Sequence, residues 1–145
     1  MRPHLLLIDD DEEELKILTD TLAEAGVDCK CTWATSPMQA LDMLHYLQAD
    51  FIFIDYHMPK MNGIECISHV RQLPSCQHIP VILYSSELND QLIKQANDAG
   101  IQSCLKKTSD TAALIARLRV IFTPRSFPLP AIPVAVLPTE MPTDG

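Results

Sequence analysis

Four short apolar runs in this chain each end in a side chain that can do chemistry. Asp9 and Asp10 follow the run at 5–8, Asp55 follows 51–54, Ser85 follows 80–84, and Lys107 follows 101–105 by way of Lys106. Three carboxylates brought together repel one another unless a cation joins them, and an all-oxygen, partly hydrated site suits magnesium better than zinc. A lysine and a hydroxyl beside that cation supply what a phosphoryl group needs: charge neutralisation and a donor for its equatorial oxygens. A carboxylate in the same place can act as the nucleophile. Two choices stay open at this level. The acidic pair is Asp9-Asp10 or Asp10-Asp11, and Lys106 competes with Lys107, although alternation along a strand lets only one of them look into a common pocket.

The elements that must position these groups are legible from hydropathic period. Phe51-Ile52-Phe53-Ile54 is too short for a helix and apolar throughout, as expected of a strand buried on both faces. Leu5-Leu6-Leu7-Ile8 and Pro80-Val81-Ile82-Leu83-Tyr84 read alike, and residues 101–105 form a weaker fifth strand. Val27, Cys29, Cys31 and Trp33 alternate with polar residues, the signature of a strand with one covered face. Between the strands lie helical spacings. The first helix runs from Glu12 through Leu15, Leu18, Leu22 and Ala25 to a stop at Gly26, and Asp11 to Glu14 read as its solvated acidic start. The second follows Ser36-Pro37 and carries Ala40, Leu41, Leu44 and Leu47. Ile64, Ile67, Val70 and Leu73 mark a third that Pro74 ends, and Leu88, Leu92, Ile93 and Ala96 a fourth closed by Gly100. Ser109 or Asp110 caps the fifth, with Leu114, Ile115, Leu118 and Phe122 as its stripe.

Five strands alternating with five helices predict right-handed βαβ crossovers and an α/β fold: a doubly wound, five-stranded parallel sheet, flavodoxin-like in its order 2-1-3-4-5, with helices on both faces. Such sheets bind ligands beyond the carboxyl ends of their strands, where Asp9, Asp10, Asp55, Ser85 and Lys107 converge. After Phe122 the composition shifts. Six prolines follow within twenty-odd residues, predicting one domain over 1–122 and an extended or disordered tail over 123–145.

Composition narrows the function. With 145 residues and 47% hydrophobic content the chain is sized for a single globular domain. A formal charge of −8 disfavours direct binding to nucleic acid or an anionic membrane. No signal-peptide core and no apolar run of membrane-spanning length occur, so the expectation is a cytoplasmic protein without membrane insertion. The five cysteines form no CxxC pair, which favours reduced thiols and makes zinc improbable.

Taken in order, the acidic pair after strand one, Asp55-Tyr56-His57-Met58-Pro59 with its following Asn62-Gly63, Ser85 after strand four and Lys107 after strand five resemble the receiver domain of two-component response regulators over about residues 4 to 122. The resemblance implies that Asp55 accepts a phosphoryl group from a histidine kinase or phosphotransfer protein and that the phosphorylated domain signals to a downstream protein target. It implies a phosphoacceptor rather than an enzyme. It further implies that Asp10, Asp55 and the backbone carbonyl of His57 bind Mg2+ directly, Asp9 acts mostly through water, and Ser85 and Lys107 contact the phosphoryl oxygens. His57 and Glu87, each two residues beyond a site residue, are expected to flank the path of an attacking water and tune dephosphorylation.

Two positions depart from the pattern. Thr108 stands where the family usually has proline, and Cys104 stands where strand five usually carries tyrosine or phenylalanine. A thiol cannot swing between buried and exposed rotamers as a ring does, so the usual output surface is in question. Alternatives are therefore a receiver-like interaction module with little phosphorylation, or the receiver part of a larger regulator. An aspartyl-phosphate phosphatase would need a second acid/base carboxylate close to Asp55 along the chain, which Tyr56 and His57 do not supply.

Overall fold

In the computed structural model, residues 2–123 are described; the Pro-rich segment expected beyond Phe122 lies, from residue 124 on, outside them. The strands are β1 (His4–Ile8), β2 (Lys30–Ala34), β3 (Phe51–Ile54), β4 (Val81–Ser85) and β5 (Ser103–Lys106). They form one sheet in the order β2-β1-β3-β4-β5, every pair parallel. Alternating with them are α1 (Glu12–Glu24), α2 (Pro37–Met43), α3 (Gly63–Val70), α4 (Asp90–Asp98) and α5 (Thr111–Ile121), with a 3-10 turn at Pro74–Cys76 before β4. The fold class and strand order are as the spacing predicts.

Alternation along the strands builds two cores, one on each face of the sheet. Leu6, Ile8, Ile52, Ile54, Val81, Leu83 and Cys104 face one way, against Ala40 and Leu44, α3 residues Cys66, Ile67 and Val70, and α4 residues Leu92 and Ala96. Leu5, Leu7, Phe51, Phe53, Ile82, Tyr84 and Leu105 face the other way, against Leu18 and Leu22 of α1 and Leu114, Leu118 and Ile121 of α5. Phe122 closes this second core with its ring 4.6 Å from that of Phe51. At about 1.5–3 kcal/mol for each fully buried large apolar side chain, these two layers supply the main force holding the strand ends in register.

Element ends shift from the sequence reading for identifiable reasons. β2 begins at Lys30 rather than Val27, because the Val27 N–H turns back to the Leu22 carbonyl at 3.0 Å and the first bond to the neighbouring chain is Lys30 N–H to the Pro3 carbonyl at 2.8 Å. Val27, Cys29, Cys31 and Trp33 still turn toward the second core, half-buried. β5 begins at Ser103, since the Ile101 N–H turns back to the Ala96 carbonyl and the Gln102 side chain accepts from Val81 N–H. α2 stops at Met43, α3 stops at Val70, and Leu47 and Leu73 pack from the turns that follow. Leu88 lies outside α4, which Asn89 caps by accepting from Leu92 N–H. Asp110, not Ser109, caps α5.

Candidate functional site

The chemistry-bearing side chains gather at the carboxyl ends of β1, β3, β4 and β5. Backbone hydrogen bonds carry the sheet one residue past each apolar run: Asp55 N–H donates to the Ile8 carbonyl at 3.0 Å and Asp9 N–H to the Ala34 carbonyl at 3.1 Å. Both acids are thus fixed by the ladder, not by a mobile loop. Asp9 is fully buried and Asp55 nearly so, at 0% and 8% exposure, whereas Asp10 is exposed. Carboxylate oxygens of Asp9, Asp10 and Asp55 all lie within 4.8 Å of one another. Of the two acidic pairs, Asp9-Asp10 is the one that lies in this oxygen group. Asp11 is occupied elsewhere, accepting from Glu13 N–H as the N-cap of α1, so its charge belongs to the helix start.

Lys107 is the resident cation of the pocket. Its Nζ lies 2.8 Å from Asp9 Oδ2, 3.4 Å from Asp55 Oδ2 and 3.8 Å from Glu14 Oε2, and 5.5 Å from the centre of the Tyr84 ring. Lys106, the last residue of β5, is exposed and points away, as alternation requires. Burial opposes the Lys107 charge, but the hydrogen bond to Asp9 and the fields of Asp9, Asp55 and Glu14 outweigh it and hold the ammonium above the ordinary lysine range. Asp9 moves up because desolvation exceeds what Lys107 and the Asp11 N–H give back. An all-oxygen donor set with excess negative charge fits a hard divalent cation. Ser85 is fully buried; its carbonyl accepts from Lys107 N–H at 2.9 Å, tying the ends of β4 and β5 together, and its hydroxyl accepts from Glu87 N–H at 3.4 Å.

The loop after β3 closes against the site. Asn62 and Glu65 form a reciprocal capping box at the start of α3. Gly63 N–H donates to the Tyr56 carbonyl at 2.9 Å, and a Cβ at Gly63 would collide with the Asp55 backbone carbonyl. The Asn-Gly pair is therefore more than a turn signal, because the second residue must lack a side chain for α3 to approach Asp55. His57 and Glu87 meet at the rim, with Nε2 and Oε1 3.4 Å apart and both side chains mostly exposed. Their loops border an open groove of about 290 Å³ that continues along Asn89, Gln91, Leu92 and Gln95.

Three contributors escaped the sequence reading. Glu14 is not a solvated helix-start acid: it is half-buried and turned toward Lys107, and burial raises its pKa. The available signal was its position four residues before Leu18, on the buried stripe of α1. Trp33 donates its indole N–H to the Asp9 carbonyl at 2.7 Å, bracing that residue from β2. Tyr84 walls the pocket below Lys107. Of the two departures, Thr108 accepts from Asp110 N–H in a local turn. Cys104 is buried in the first core, and burial pushes its thiol up to about 12.

The model of the response regulator receiver domain matches residues 5–119. The chain is 29% identical over 118 residues to the chemotaxis protein CheY-3 of Vibrio cholerae, covering 81% of this chain and 90% of that one. It is 31% identical over 106 residues to the two-component response regulator ORR8 of Oryza sativa subsp. indica, covering 72% and 86%. Among solved structures, the Mn2+-bound form of response regulator Rcp1 superposes with a TM-score of 0.71 at 19% identity, covering 91% and 98%, a likeness of fold.

Proposed function

Because the chain belongs to the response regulator receiver domain family, we propose that Asp55 is its phosphoacceptor and that the protein is a phosphorylation-controlled switch. One observation carries the reading: the nearly buried Asp55 carboxylate shares a lysine with Asp9 and lies within the Asp9-Asp10-Asp55 oxygen group, at the strand ends where an α/β sheet presents ligands. The carboxylate oxygen of Asp55 attacks phosphorus, and the bond from phosphorus to the donor nitrogen or oxygen breaks with its electron pair leaving on the donor. An acyl phosphate on Asp55 results. Lys107 would move from Asp55 onto the new equatorial oxygens, and the Ser85 hydroxyl would hold one of them.

Asp9, Asp10, Asp55 and the backbone carbonyl of His57 would hold Mg2+, which neutralises charge on the transferring group when bound. The donor is a histidine kinase or phosphotransfer protein, and the output is a protein target that distinguishes the two states of the surface. A bias of only a few kcal/mol between those states suffices. The His57–Glu87 pair at the rim tunes the approach of the water that hydrolyses the acyl phosphate. Among the described residues no helix is long and apolar enough to cross a membrane, which agrees with a cytoplasmic location.

The test is incubation with acetyl phosphate and Mg2+ followed by intact mass. One added phosphoryl group is expected on the native protein and none on Asp55→Ala. Labelling of Asp55→Ala to the native level would refute the assignment. Buried Cys104 in place of a rotating ring favours a second reading, an interaction module seldom phosphorylated; absence of any native adduct would decide for it.

A further inference from the structure

Lys107 carries one positive charge and has three carboxylates around it, at 2.8, 3.4 and 3.8 Å. Asp9 and Asp55 both belong to the oxygen group that fits a cation. Glu14 stands outside that group, on α1. Its side chain is only 17% exposed and the lysine's only 13%, so their charges meet with little water between them. Its neighbours Glu12 and Glu13 are exposed. The helix fixes this difference, because Glu14, Leu18 and Leu22 follow at intervals of four and the two leucines are locked into the second core.

We propose that Glu14 is a positioning residue of the phosphoryl site, holding the Lys107 ammonium on the α1 side of the pocket in competition with an incoming phosphoryl group. The inference rests on the reading of Asp55 as phosphoacceptor. When Asp9 and Asp55 turn their charge to a cation, Glu14 is the carboxylate left to keep the lysine. Its negative charge also makes the pocket more attractive to a cation and less attractive to an anion. Removing that charge therefore has two effects of opposite sign, which loss of packing alone would not produce.

Glu14→Gln keeps the size of the side chain and removes its charge, and Glu13→Gln removes the same charge from an exposed neighbour. Titration calorimetry with Mg2+ alone gives cation affinity, and the initial rate of labelling by acetyl phosphate at saturating Mg2+ gives anion acceptance. For one partly screened charge in this pocket, Glu14→Gln should weaken Mg2+ binding about five-fold and speed labelling about as much, with Glu13→Gln within about two-fold of native in both. Glu14→Asp, which keeps the charge, should keep near-native Mg2+ affinity. The proposal is overturned if Glu14→Gln tracks Glu13→Gln, if both quantities fall together, or if Glu14→Asp loses Mg2+ affinity as Gln does. Should native protein take up no phosphoryl group, the phosphoacceptor reading fails, and the Mg2+ comparison still decides whether Glu14 acts in the pocket.

Discussion

Replacing Gly63 by alanine tests whether the loop after β3 sets the position of Asp55. A Cβ there would collide with the Asp55 carbonyl oxygen and lie 3.1 Å from the carbonyl carbon and 3.2 Å from Tyr56 Cα. All three neighbours are backbone, so no side-chain rotation relieves the contact. Either α3 lifts, straining the Gly63 N–H to Tyr56 carbonyl bond and the Asn62–Glu65 box, or the end of β3 is pushed into the pocket. Overpacking of this kind costs about 1–3 kcal/mol. The better helix propensity of alanine returns at most about 1 kcal/mol, and less at the first helical position. The net loss is about 1–2 kcal/mol, or roughly 4 °C in Tm per kcal/mol for a domain of this size. Catalytic geometry is more sensitive, since a displacement of about 1 Å costs on the order of 100-fold in rate. Thermal melting and acetyl phosphate labelling should therefore separate: a few degrees in Tm against one to two orders of magnitude in rate. Native values of both would show that α3 does not need the bare glycine to seat Asp55.

Asn62→Ala removes one half of the capping box and leaves Glu65 N–H without its side-chain acceptor, so chemical denaturation should register a loss of about 1 kcal/mol. An unchanged midpoint would mean that solvent replaces the cap at no cost. Lys107 also gives a pH signature. Its folded pKa is raised, so the folded state keeps the proton where the unfolded chain has lost it, and the ion-pair contribution is complete below the unfolded value and lost as pH rises through the folded one. Metal-free Lys107→Met should show a smaller fall in Tm between about pH 9 and about pH 11 than native protein, a window that brackets the ordinary lysine value. Equal falls in both proteins would remove Lys107 as the cause.

How much was legible in the sequence follows from which interactions decide each feature. β3 and β4 are covered on both faces, so their own composition reveals them, and the strand order follows from the alternation of elements. Strand ends depend on a partner: Lys30 and Ser103 begin their strands where the neighbouring chain offers a carbonyl or an amide, a fact no local pattern contains. The same division runs through the site. That Asp9, Asp55, Ser85 and Lys107 gather at one edge was legible because topology alone brings strand ends together. The choice between Asp9 and Asp11 as partner of Asp10 turned on Asp11 capping α1 by accepting from Glu13 N–H, and Glu14 was hidden because a run of acids before a helix ordinarily faces water. Its four-residue spacing to Leu18 was the weaker signal, and the correct one.

Cys104 bears on how such a site can be read by a partner. Its thiol is enclosed in the core on the α3 and α4 side, so nothing at that position can turn outward when the pocket changes. Two links lead out of the pocket here: Lys107 N–H to the Ser85 carbonyl at 2.9 Å, at the ends of β4 and β5, and Glu87 N–H to Ser85 Oγ at 3.4 Å. On the proposed roles of Ser85 and Lys107, a phosphoryl group on Asp55 would pull on both strand ends at once. The segment those links lead to is 86–89, which lies between β4 and α4 and carries Glu87 at the rim and half-buried Leu88 against the core. Movement there would reshape the groove along His57, Asn89, Gln91 and Gln95, which needs no rotamer change in β5. If Asp55 takes up a phosphoryl group as proposed, the change should pass through the β4–α4 segment, so Gln91→Ala and Gln95→Ala should weaken partner binding more than Lys106→Ala at the end of β5; the reverse order would refute this route.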